Sequence, residues 1–125
     1  MKFYFVEFKD IETGKVFHKF GYTKETNAQD RFDPYFDNYR FFNDREKYLE
    51  FEIRVLFSIN GTLENVMYLE KIFLNQYPKN INLETYLRRP YNYFSTGFSG
   101  ITEIVALTSE QKSKVLKTLY ALKGK

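Results

Sequence analysis

Phe3 to Lys9 packs aromatic and β-branched residues closely together, Glu12-Thr13-Gly14 has turn chemistry, and Lys15 to Thr23 is strand-like again. This pattern predicts a β-hairpin. Thr26 or Asn27 can cap a short helix through Ala28, Gln29, Asp30, Arg31 and Phe32, which Pro34 ends. Tyr35 to Glu46 is aromatic and polar without a clear period and reads as irregular or briefly helical. From Tyr48 to Ile59, Leu49, Phe51, Ile53, Val55, Phe57 and Ile59 alternate with more polar residues, predicting a strand with one buried and one mostly wet face.

Asn60-Gly61 then turns the chain, Thr62 can cap, and Leu63 to Tyr77 reads as a helix stopped by Pro78. A loop-rich stretch holds Arg88-Arg89-Pro90 and the Ser/Gly/Phe run from Tyr93 to Gly100. Thr102 to Leu107 resembles a short strand, and Thr108-Ser-Glu-Gln111 has capping-box spacing ahead of a last helix over about 109–122. With no internal repeat and no linker, residues 1–125 are expected to form one α+β domain. Its core would be a small antiparallel sheet of three main strands flanked by helices.

Composition narrows the chemistry. The 125 residues contain no cysteine and a single histidine, His18, so neither a disulfide framework nor a zinc centre is expected. No apolar run reaches about 18 residues and no signal peptide is evident, so a cytoplasmic protein without a membrane partner is expected. Few alanines beside abundant Phe, Tyr, Lys and Asn suit an AT-rich genome, compatible with a phage-encoded protein in a host cytoplasm. The net charge of +3 is unevenly spread: Thr108 to Lys125 holds five lysines and one acid. Those lysines, Lys112, Lys114 and Lys117 among them, either meet a polyanion or form the solvated face of a helix.

One residue breaks the pattern of the middle helix. Leu63, Val66, Met67, Phe73, Leu74 and Tyr77 follow helical spacing, and Glu70 stands at i+7 of the same stripe. A buried carboxylate costs several kcal/mol unless a cation, a metal or water accompanies it. Glu70 therefore marks a site, or else lies at the sheet edge and reaches solvent or an arginine. One carboxylate with several waters suits Mg²⁺ or Mn²⁺.

Phe3-Tyr4-Phe5-Val6, then His18-Lys19-Phe20-Gly21-Tyr22-Thr23, then Arg31 resemble the signature of the GIY-YIG nuclease superfamily. The strand Tyr48 to Phe57, the segment Tyr68-Leu69-Glu70-Lys71-Ile72-Phe73-Leu74 and Gly100-Ile101-Thr102-Glu103-Ile104 are similar to later blocks of its phage and bacterial branch, which often carries lysine in the second motif. The resemblance implies a GIY-YIG-like fold and metal-dependent hydrolysis of DNA phosphodiesters with one divalent ion. Carried over, Tyr4 matches the first-motif tyrosine, Lys19 the tyrosine-or-lysine position, Gly21 the motif glycine, Arg31 the helix arginine and Glu70 the metal-binding glutamate. Tyr4 would take the proton of the attacking water, Arg31 would brace the phosphate and Glu70 would hold the metal.

The chain departs from the pattern in having Lys2-Phe3 where Gly-Ile would stand. Tyr35 and Tyr39 are candidates for the aromatic that follows the helix arginine in relatives, and Glu103 for a secondary acidic group. His18 precedes Lys19 in its strand and should point to the opposite face. DNA, double-stranded or structured, is the expected partner, with Arg88, Arg89, Lys112, Lys114 and Lys117 as candidate phosphate contacts. Tyr91, Tyr93 and Phe94 either stack on exposed bases or plug the core. No room for a separate recognition domain implies low sequence specificity, or specificity supplied by a protein partner. The alternative is a catalytically inactive module of the same fold that binds DNA or a protein.

Overall fold

The first hairpin closes through its own turn chemistry. In the computed structural model, which describes residues 1–11, 13–24, 27–28, 51–77 and 104–124, β1 (Lys2–Asp10) and β2 (Val16–Thr23) are antiparallel neighbours. The amide of Gly14 donates to the Asp10 carbonyl and the amide of Asp10 to the Lys15 carbonyl, both at 2.8 Å. The Asp10 carboxylate accepts from the Thr13 amide at 3.2 Å. Gly14 has φ +74°, a conformation in which a side chain is strained, so glycine belongs there. This turn sets the register: Tyr4 faces Gly21, Phe5 faces Phe20, Val6 faces Lys19 and Glu7 faces His18.

The third strand, β3 (Phe51–Asn60), pairs with the other edge of β1, and β4 (Ile104–Val105) pairs with β2 at His18 and Lys19. The sheet is antiparallel, in the order β3-β1-β2-β4, and the fold class is α+β as expected. β3 differs from the single buried face that its alternation predicts. Phe5 pairs with Phe57 but Val6 pairs with Val55, so Leu56 is an extra residue in β3. A bulge of this kind switches the faces. Phe57 and Ile59 thus share a face with Phe5, while Phe51, Ile53 and Val55 share the opposite one with Val6 and Phe8.

Thr62 caps α1 (Leu63–Gln76), its hydroxyl accepting from the Asn65 amide at 3.2 Å. The Tyr77 amide still reaches the Phe73 carbonyl at 2.8 Å, and Pro78 follows in the sequence. Thr108 caps α2 (Ser109–Lys123) with the full capping box: Gln111 donates its amide to the Thr108 hydroxyl at 3.1 Å and accepts the Thr108 amide at 2.9 Å. Both helices lie on one face of the sheet. Phe3, Phe5, Phe20 and Phe57 meet Val66 and Phe73 of α1 and Val115 and Leu119 of α2 in one buried cluster. Phe73 stacks on Phe20 with ring centroids 4.8 Å apart and on Phe3 at 6.0 Å.

The opposite face is buried as well. Tyr4, Val6, Phe8, Phe17 and Lys19 project there, Phe8 stacked on Phe17 at 4.9 Å and Phe17 edge-on to Phe51 at 5.7 Å. Burial of both faces explains why Phe3 to Val6 of β1 reads as a continuous apolar run instead of an alternation. The contact stripe of α1 runs through Val66, Leu69, Phe73 and Tyr77, while Leu63 and Met67, expected within it, are about half exposed. Met67 stands roughly a quarter turn past Val66, off the line that meets the sheet. Among the described residues, no helix is long and apolar enough to cross a membrane.

The helix expected over residues 28–32, the irregular segment 35–46, the strand start at 48–50 and the loop 78–100 fall outside the described residues, apart from the buried Ala28. Because Phe73 joins α1 to β1 and β2, Phe73→Ala should lower the unfolding free energy by about 3–5 kcal/mol. Tyr68→Ala, at an exposed position of the same helix, should stay within about 0.5 kcal/mol of the parent in urea titrations.

Candidate active site

Strand alternation and the hairpin register bring Tyr4, Lys19 and Gly21 together on the sheet face opposite the helices. Tyr4 is cross-strand from Gly21, and Lys19 precedes Gly21 by two residues on the same face. The ammonium of Lys19 donates to the Tyr4 hydroxyl at 3.1 Å and lies 5.2 Å from the centroid of its ring. Both side chains are almost entirely buried, at 1% exposure for Tyr4 and 3% for Lys19. A buried ammonium needs acceptors, and the phenol oxygen supplies one.

Gly21 makes this meeting sterically feasible. A Cβ at position 21 would stand 2.5 Å from the Tyr4 hydroxyl oxygen, 2.6 Å from Lys19 Nζ and 2.7 Å from Tyr4 Cζ. Since the two polar ends occupy the space where a methyl group would sit, any larger residue must push them apart.

Glu70 occupies α1 between the buried Val66 and Phe73 and is itself half-buried. It stands on the side of the helix turned toward the sheet, one turn from each of those apolar neighbours. The sheet face that α1 covers carries Phe3 and Phe20, while Tyr4 and Lys19 project from the other. Among the described residues no three His, Cys, Asp or Glu side chains cluster as a metal cage. One carboxylate from the protein suits an ion that keeps most of its water, as magnesium does, and not an all-protein cage.

The remaining candidates divide clearly. Arg31, Tyr35, Tyr39, Arg88, Arg89 and Glu103 lie outside the described residues, as do Tyr91, Tyr93 and Phe94. Lys114 and Lys117 are exposed on α2. Lys112, on the same helix, is turned inward to the Glu7 carboxylate at 2.6 Å.

That contact belongs to a second polar cluster, on the helix-covered face, that the sequence reading did not assemble. Glu7 Oε2 accepts from Lys112 and, at 3.0 Å, from His18 Nε2, while the His18 ring stacks on Phe5 at 5.4 Å. His18 faces away from Lys19, as alternation requires. Burial pushes the Glu7 carboxyl up, but hydrogen bonds from Lys112 and His18 outweigh it and hold the group below its ordinary 4.5. Burial pushes His18 below its ordinary 6.5 against the pull of Glu7, and the charge of Lys112 acts with burial. The imidazole is thus neutral at neutral pH, with its proton on Nε2 facing the carboxylate and its buried Nδ1 without a hydrogen-bond partner among the described residues. The cross-strand pairing of Glu7 with His18 was the available signal, and it required the hairpin register.

Comparison of the chain with protein-family models, curated proteins and solved structures gives no match.

Gly21→Ala should separate Lys19 from Tyr4 and lower stability by about 1–3 kcal/mol, the usual cost of overpacking, measured by chemical denaturation. Acid should weaken the second cluster in two stages. His18 takes up its proton more readily unfolded than folded, so stability declines as pH falls below 6.5. Glu7 adds a further decline below 4.5, because its folded carboxyl must be protonated against Lys112 and His18. Urea midpoints at pH 7.5, 5.5 and 4 should therefore fall in that order, and His18→Gln should flatten the first interval.

Proposed function

We propose that the protein is a metal-dependent DNA endonuclease of GIY-YIG type, with low intrinsic sequence specificity. The observation that carries the reading is the 3.1 Å contact of Lys19 Nζ with the Tyr4 hydroxyl in the space left by Gly21. The three residues are those of the first two motifs, and a tyrosine held by a cation at a strand pair is the arrangement a hydrolytic proton acceptor needs. Lys19 orients the phenol oxygen and offsets negative charge that develops there. Glu70 is assigned one Mg²⁺ or Mn²⁺, together with water, by the sequence motif alone, because α1 covers the face of the sheet opposite Tyr4 and Lys19; an ion held there would supply charge stabilisation at a phosphodiester. Arg31 is assigned to the phosphate by the sequence motif, and Lys114 and Lys117 are exposed cations available to a DNA backbone.

A second reading is a catalytically inactive module of the same fold that binds DNA or a protein partner. It is favoured by the near-complete burial of Tyr4 and Lys19, which closes both polar ends to solvent. Purified protein incubated with supercoiled plasmid should nick it in Mg²⁺ or Mn²⁺ and not in chelator. Tyr4→Phe should slow nicking by about 10²-fold or more, within the range of acid–base catalysis, and Glu70→Ala should abolish it. Full activity in Glu70→Ala would overturn the metal assignment. Gel retardation of DNA without cleavage under any metal condition would establish the second reading.

A further inference from the structure

At the hairpin end of the sheet, on the face covered by the helices, a cleft of about 570 Å³ opens between β1, β2, β3 and the start of α2. Its wall carries three cations from three separate elements, Lys9, Arg54 and Lys112, together with two carboxylates, Glu7 and Glu52. These groups are not equivalent. Glu7 is occupied by His18 and Lys112, is held ionised, and so neutralises one cation of the wall. Among the described residues Lys9 and Arg54 form no ion pair, although each has a carboxylate across the strand pair, Glu52 opposite Lys9 and the already engaged Glu7 opposite Arg54. Thr108 and Ser109 at the N-terminal end of α2 also line the cleft, adding the positive pole of a 15-residue helix. His18, neutral, contributes no charge at neutral pH. Among the described residues that line the cleft, the balance is therefore positive.

We propose that this cleft binds a small phosphomonoester of nucleotide size. The volume exceeds what an inorganic anion fills and lies within the usual range for organic ligands. Val16 and Leu107 provide apolar wall beside the cations, suited to the uncharged body of such a molecule. A phosphomonoester carries close to two negative charges and three acceptor oxygens, which matches donors arriving from β1, β3 and α2 better than a single carboxylate would. The site is independent of the nuclease reading, since Tyr4 and Lys19 project from the other face of the sheet.

Calorimetric titration of the full chain with adenosine 5′-monophosphate, inorganic phosphate and adenosine tests the assignment. The monophosphate should bind saturably with Kd below about 1 mM, more tightly than inorganic phosphate, and adenosine should bind far more weakly. The double variant Lys9→Gln/Arg54→Gln should weaken the monophosphate by about tenfold or more. Because these side chains are exposed and form no ion pair among the described residues, the variant should keep the parent's circular dichroism. Glu52→Gln should tighten binding by about two- to fivefold by removing the opposing charge, a gain that a merely structural role would not produce. Tyr4→Phe should leave binding unchanged, whatever it does to DNA cleavage. Absence of saturable monophosphate binding, equal affinity for adenosine, or parental affinity in the double variant would overturn the proposal.

Discussion

The register of the first hairpin is the constraint on which the remaining structure depends. Gly14 at positive φ and the paired bonds between Asp10 and its turn partners close the loop at one length only. That length places Tyr4 opposite Gly21 and Glu7 opposite His18. A slip of one residue would send every side chain of one strand to the other face. Lys19 would then project into the phenylalanine cluster beneath α1, and His18 into the face now occupied by Tyr4. Both of these polar assemblies are thus products of one turn.

Aromatic stacking converts that register into a fold. Phe5 and Phe20 are cross-strand partners stacked at 4.9 Å, and Phe73 of α1 lies on Phe20 at nearly the same separation. On the β3 side, the extra residue Leu56 turns Phe57 toward α2, where Tyr120 meets it edge-on and donates to the Leu56 carbonyl at the limit of hydrogen-bonding distance. Without that bulge Phe57 would share the face of Val55, and α2 would lose its aromatic contact. The bulge lets one strand of strict sequence alternation serve two buried faces.

The two polar clusters differ in what they ask of their surroundings. Lys19 and Tyr4 meet through an oxygen and an ammonium, with a glycine clearing the space. Glu7, His18 and Lys112 form an ionic tie between the sheet and α2, in which the carboxylate is shared by two donors. Lys112 belongs to the lysine-rich helix whose net charge suggested a polyanion, yet its ammonium is committed to Glu7. Lys114 and Lys117 keep the solvent-facing role. Charge counted along a sequence therefore overstates what this helix offers to a partner.

Local chemistry made much of the architecture readable in advance. Glu12-Thr13-Gly14 announces the hairpin, Thr62 and the Thr108–Gln111 capping box announce the two helix starts, and the β-rich run to Ile59 announces β3. Each of these signals acts within a few residues, so the chain encodes it without tertiary help. The nearness of Tyr4, Lys19 and Gly21 was legible only as a motif resemblance. The 3.1 Å contact and the steric need for glycine emerged from strand pairing. The bulge at Leu56, the exposure of Leu63 and Met67, and the Glu7–His18–Lys112 tie were not legible. They depend on register, helix rotation and the docking of a helix more than 90 residues away in sequence from its partner carboxylate. Local propensity and capping by themselves determined which segments are strands and helices. Only the tertiary structure decided which faces meet and which charges are spent inside, because pairing and packing act between residues whose separation along the chain carries no information about their separation in space.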